Sequence, residues 1–148
     1  MSFTQLRTLG RVWVASAART ATGNSGALYL QHANSHLFIL DATTVTGTSP
    51  TADVAIQVTH DNGTTFYSVL RFAQVTAAAK RYLRIQGGHM GQGEAGAEGA
   101  IADTGGALAN NVVLSKKVRF IWTIGGTNPS FTFAINGLHA PKQSSTNY

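Results

Sequence analysis

The chain has 148 residues and a mass of 15.6 kDa, which suits one domain able to bury roughly 68–70% of its unfolded surface without a metal or disulfide. It has no cysteine, which excludes disulfide scaffolds, thiolate zinc sites, CxxC redox chemistry and thiol nucleophiles. Only 11% of its residues are charged, 11 Lys and Arg against 6 Asp and Glu, so the net charge of +5 reflects scarce acids. That balance predicts weak attraction to acidic surfaces and no dedicated nucleic-acid site, on a surface made mainly of Thr, Ser, Asn, Gln, Gly and Ala.

Taken in chain order, Met1 to Arg7 lacks a basic stretch followed by an apolar core, so no secretion signal is expected. Ser2 to Gly10 reads as an N-terminal arm. Val12 and Val14 then predict a short strand, Ala27 to Gln31 another, and His36 to Thr44 a strongly apolar one. Leu37 to Leu40 is among the longest apolar runs, too short to span a membrane. Val54, Ile56 and Val58 alternate with Ala55, Gln57 and Thr59, the pattern of a half-buried strand. Asn62-Gly63 follows, the dipeptide that suits positive φ at both centres of a type I′ hairpin turn. The return passes through Thr64 to Val75, and Gln74 to Arg81 allows one helical turn at most. Arg81 to Gln86 is a strand with Leu83 and Ile85 on one face and Tyr82 with Arg84 on the other. Phe120, Trp122 and Ile124, then Phe131, Phe133 and Ile135, give two final alternations.

The expected fold is all-β: a single-domain antiparallel β-sandwich of about seven or eight strands, Greek-key or jelly-roll-like, over residues 11–139, with a C-terminal tail at 140–148. Residues 87–107 interrupt it with eight of the sixteen glycines. A stretch of about twenty residues without structure is unusual in a compact domain. It reads either as a surface loop or as an arm that orders against a neighbouring subunit. One internal echo stands out: Gly47-Thr48-Ser49-Pro50 and Gly126-Thr127-Asn128-Pro129 each launch an alternating strand, and are expected to form two similar corners.

Catalytic and ligand chemistry finds little purchase. Gly91-Gln92-Gly93-Glu94-Ala95-Gly96 matches GxGxxG, but Gly99, Gly105 and Gly106 break the helix that a dinucleotide site requires. His32 and His36 lie four apart in what reads as a turn, with Asp41, His60 and Asp61 as further donors; solvent-facing histidines are the simpler expectation. Asp53 at a strand start and Asp61 in a turn are expected to cap backbone amides, and no GxSxG elbow is present. No catalytic residue, cofactor or metal is expected, and the chain reads as a non-enzyme. Lys80 to Arg84 and Lys116 to Arg119 are the basic clusters, expected on edge strands where lysines discourage aggregation.

Val45 to Val58, followed by Asp61-Asn62-Gly63-Thr64-Thr65-Phe66-Tyr67, together with Arg119 to Phe133, resembles small β-sandwich virion structural proteins of tailed bacteriophages. There a GTSP-strand-hairpin unit is paired with a late R-strand-GGT-x-PSFTF segment. The likeness covers about a third of the chain and carries no active-site residues; the glycine-rich segment departs from the pattern. It implies a non-enzymatic capsid decoration, or cement, protein on the virion surface, made in the host cytoplasm. The partners implied are the major capsid protein and further copies of itself, a trimer among the options, with no membrane and no specific nucleic acid. The alternative is a tail, baseplate or head-tail component that binds a host surface or glycan. Partner contacts are expected in the flexible-looking segments, at Phe3, Leu6, Arg7, His89, Met90, Glu94, Glu98 and Tyr148.

Overall fold

The computed structural model describes residues 9–30, 33–86 and 114–141. Among the described residues there are seven strands and no helix: β1 (Leu9–Arg19), β2 (Gly23–Asn24), β3 (Leu28–Tyr29), β4 (Ala33–Val58), β5 (Tyr67–Arg71), β6 (Ala79–Gln86) and β7 (Lys117–Pro141). Every pairing is antiparallel. The apolar run from His36 and the alternation at Val54, expected as separate strands, belong to one 26-residue strand. It pairs with the 25-residue β7 along its whole length, from Ala33 opposite Pro141 to Val58 opposite Val118.

Laid straight, β4 would run for roughly 85 Å at 3.3 Å per residue. Yet the rings of Phe38 and Phe120 meet at 5.5 Å, although Phe120 pairs with Ile56, eighteen residues beyond Phe38 on β4. The ribbon is therefore folded in half. The crease falls where its register slips, between Thr46 and Thr51, on the echoed motifs. Thr48 pairs with Thr127, so the two corners stand back to back on neighbouring strands. Gly47 and Gly126 hold φ of 113° and 110°, and Ser49 and Asn128 hold 49° and 48°. A Cβ on Gly47 would stand 2.8 Å from the Asn128 carbonyl oxygen and 2.9 Å from Pro129 Cα. One on Gly126 would stand 2.7 Å from the Ser49 carbonyl oxygen and 2.9 Å from Pro50 Cα. The two corners are thus related by a local two-fold axis, and each glycine lets the other's Thr-x-Pro backbone approach.

Folding at the crease makes two layers. One contains β1, the second half of β7, the first half of β4, and β6; the other contains β2 with β3, the first half of β7, the second half of β4, and β5. Counting β2 with β3 as one segment and each half of β4 and β7 separately gives eight segments, ordered 1-8-3-6 and 2-7-4-5 in the two layers. That is the strand order of a jelly roll, an antiparallel ribbon rolled into a double sheet.

Between the layers the expected alternations meet. Phe38, Leu40, Leu83, Ile85, Phe131, Phe133 and Ile135 face Val54, Ile56, Leu70, Phe72, Val118, Phe120 and Trp122, all buried. Edge-to-face contacts join the layers: Trp13 to Phe120 at 6.0 Å and Trp122 to Phe133 at 5.5 Å. Such pairs add about 0.5–1.5 kcal/mol each beyond area burial. Arg19 closes the β1 side, its guanidinium 4.1 Å over Phe133 and donating to the carbonyls of Phe133, Ala17 and Ala15. The Ala15 carbonyl lies where an extra residue of β1 slips the register between Val14 and Ala17.

The β1 ladder slips between Val12 and Val14, leaving Val14 buried and Val12 63% exposed. Four expectations need correction. Asn62 and Gly63 do adopt positive φ, but the connection from Val58 to Tyr67 is eight residues long and not a two-residue turn. Thr59 and Asp61 hold it by accepting from backbone amides of Gly63, Thr64 and Thr65. Of the basic clusters, Lys80 to Arg84 does lie on an edge strand, β6, whereas Lys117 to Arg119 open the central β7. Asp53 lies within β4, not at a strand start. Leu9, Gly10, Ala140 and Pro141 pair in the sheet, so the described strands reach two residues into both segments read as arm and tail.

Because the two corners are equivalent, Gly47→Ala and Gly126→Ala are expected to destabilise equally, each by about 2–3 kcal/mol of backbone strain. Urea denaturation checks this, and clearly unequal losses would contradict the local two-fold. Phe133→Ala is expected to cost about 3–5 kcal/mol in the same assay.

Candidate functional site

The end of the sandwich opposite the crease brings together a buried histidine pair, a hydrogen-bonded loop and several exposed aromatic and cationic side chains. In the first layer Leu9, Ala33, Gln86 and Pro141 lie together there, since Leu9 pairs with His139, Ala33 with Pro141 and Ser35 with Gln86. In the second layer the same end carries Tyr29 opposite Lys117, and Tyr67 opposite Val58. Arg11 ties the two layers by donating to the Tyr29 carbonyl oxygen at 2.6 Å while stacking 3.8 Å over Trp13.

His36 on β4 faces His139 on β7 directly across the ladder, with ring centroids 6.1 Å apart. Both point into the sandwich and are 6% and 7% exposed. His36 also stacks parallel on Phe38 at 5.7 Å. Burial first, and the neighbouring His139 second, push the His36 pKa down to about 4, because both disfavour the charged form of the His36 ring. His36 is therefore a buried strand residue and not the solvent-facing turn histidine expected from its Gln-His-Ala-Asn-Ser-His setting. The period-two step from His36 to the core positions Phe38 and Leu40 was the available sign. His139 escaped notice because its partner is more than a hundred positions away.

The loop joining β4 to β5 forms the other part of this end. Asp61 accepts from the Thr65 amide at 2.7 Å, the Thr64 amide at 3.1 Å and the Thr59 hydroxyl at 2.8 Å. These bonds, led by the Thr65 amide, hold its carboxyl below the ordinary carboxylate range. The acid is thus engaged in shaping the loop, as expected of an Asp in a turn. Beside it, exposed His60 packs against Tyr67 at 5.5 Å, and Lys117 Nζ donates to the Asn62 carbonyl oxygen and lies 5.1 Å over Tyr29. Asp53 sits apart, accepting from Gln74 Nε2 at 3.1 and 3.2 Å. Among the described residues no three His, Asp or Glu side chains converge as metal ligands. The end holds a buried imidazole pair and can present aromatic and cationic side chains to a partner.

Phe3, Leu6, Arg7, His89, Met90, Glu94, Glu98 and Tyr148, the residues expected to contact partners, lie outside the described residues, as do His32 and the GxGxxG segment. The described strands do show where those segments attach: Leu9, Gln86 and Pro141 stand side by side at this one end. The chain matches no known protein family, no curated protein and no solved structure in the comparisons made.

Burying His36 makes the fold acid-sensitive. The folded His36 pKa near 4 lies below the ordinary 6.5, so the unfolded chain binds more protons between those values. Stability is full above pH 6.5 and falls as pH drops towards 4. We expect a loss of about 2 kcal/mol, short of the roughly 3 kcal/mol that the whole shift would carry, since solvent still touches the ring. Urea midpoints from pH 8 to pH 4 measure it, and His36→Gln should flatten the slope.

Proposed function

We propose that the chain is a non-enzymatic structural protein of a tailed-bacteriophage virion: a decoration protein that self-associates, binds the outer head lattice and stabilises it. The observation that carries the reading is the position of the two segments with the phage-protein resemblance. Val45 to Val58 and Arg119 to Phe133 are neighbouring stretches of β4 and β7, paired through the crease. The likeness therefore falls on one contiguous unit, the bend on which the two-layer fold is built, and not on two unrelated strands.

Two further features support it. Jelly rolls recur in viral capsid and lectin domains, an analogy of fold that carries no chemistry by itself. The surface is sparsely charged, with exposed Thr and Ser along the crease at Thr43, Thr44, Thr46, Thr48 and Ser49, and such groups cost little to desolvate against a lattice. Binding to the assembled head and not to free subunits would stabilise it by mass action, and the +5 charge complements an acidic capsid surface.

The second reading, a tail or baseplate component that binds a host glycan, draws on Tyr29, Tyr67 and Tyr82, which are 60%, 47% and 46% exposed. Immunogold electron microscopy of the intact phage separates the two. Gold spread evenly over the head is the expected outcome. Gold confined to the tail would favour the second reading, and unlabelled particles with accessible antigen would overturn both.

A further inference from the structure

Leu37-Phe38-Ile39-Leu40 is apolar at every position, whereas a strand covered on one face only should alternate. Phe38 and Leu40 fill the core; Leu37 and Ile39 therefore point to the outside of the first layer, where they are half-buried. The register shows what surrounds them. Ile39 lies in a row that crosses all four strands, Val12, Asn136, Ile39 and Tyr82. Leu37 lies in the next row with Gly10, Leu138 and Arg84. Val12 is 63% exposed, Tyr82 46% and Leu138 39%, so three of the five exposed large apolar side chains among the described residues share this one sheet face.

The outer face of the second layer is built differently. Gln57 there donates to Ser68 and accepts from Arg119, and Asp53 accepts from Gln74. Arg119 in turn stacks 4.1 Å over Phe66. One face is closed by its own polar network, while the other leaves aliphatic and aromatic groups in solvent. Contiguous exposed apolar patches on soluble domains mark contact surfaces.

We infer that the outer face of the first layer, centred on Leu37, Ile39 and Leu138, is where a second copy of this chain packs. Charge singles out this face for that occupant. Copies carrying +5 each repel one another, so they meet at least cost where charge is lowest. The middle of this face, on β4 and β7, presents Leu37, Ile39, Ala134, Asn136 and Leu138, all uncharged. Its one acid, Asp41, pairs across the ladder with Lys80. Lys80 and Arg84 lie at the β6 margin, the place of a polar rim. Size agrees. Four strands about 4.8 Å apart, each of about ten residues, span roughly 600 Å² in projection, near the ~800 Å² per partner of a standard interface. Two such faces would pack at the ~10 Å separation of stacked sheets.

This rests on the self-association in the reading above and adds the surface that performs it. The test is sedimentation equilibrium of the full chain at tens of micromolar, beside Val12→Asp, Leu138→Asp and, as a control in the exposed connection between β5 and β6, Ala77→Asp. Each Asp lowers the net positive charge, so general repulsion cannot explain a loss of assembly. Circular dichroism checks that each variant is folded, and two face variants keep the test decisive if one fails to fold. Wild type and Ala77→Asp are expected at a multiple of 15.6 kDa, and the two face variants at the single-chain mass. A wild type that sediments as one chain would overturn self-association altogether and leave the chain's own further segments as the cover. Face variants that stay assembled would overturn the surface alone, with copies meeting elsewhere.

Discussion

The close approach of two backbones at the crease governs the rest of this molecule. A ribbon of two long antiparallel strands can roll into a double sheet only if both turn together at the same level. At Gly47 and Gly126 each strand passes within about 3 Å of where the other's Cβ would be, and both residues hold positive φ. Any L side chain there would be strained and would also collide with backbone that cannot move aside. Once that bend is made, the core follows: residues eighteen positions apart on β4 become neighbours across the interior. Phe38 meets Phe120, and Trp122 meets Phe133.

The same bend gives the sandwich two unlike ends. The crease end is short, small-sided and rich in hydroxyls. The other collects the strand ends, the Asp61 loop and the buried histidine pair. It is also where the segments before Leu9, after Gln86 and after Pro141 join the sheet. The sequence reading placed partner contacts on those segments, and the topology brings their points of attachment to one end. With little charge in the sequence and no group of metal ligands among the described residues, faces and ends of this kind are the molecule's prominent features.

The two sheet faces divide the remaining work. On the second layer, polar side chains satisfy one another, and Gln57 is 6% exposed yet fully engaged. On the first layer, the apolar outward rows have no such network. Burying aliphatic surface is non-directional and favourable in proportion to area, whereas covering a satisfied polar network brings little. On the proposed reading the asymmetry assigns self-contact to one layer; the cationic groups of the other, Lys117 and Arg119, lie near the end that carries Tyr29 and Tyr67.

By itself the sequence determined the local order of this protein. Period-two alternation placed Leu83, Ile85, Phe120, Trp122, Phe131, Phe133 and Ile135 in the core, because a pleated strand offers only two sides. The repeated Gly-Thr-x-Pro marked both corners, because backbone at positive φ beside a proline restricts the residues that fit. Tertiary structure alone decided what depends on pairing between distant positions. The local pattern of β1 could not show the slip in its ladder that turns Val12 outward. The juxtaposition of His36 with His139 likewise exists only through the pairing of β4 with β7. Most of all, nothing local says that the two corners share one axis. That follows from the register of β4 on β7, set where opposing side chains meet across the fold.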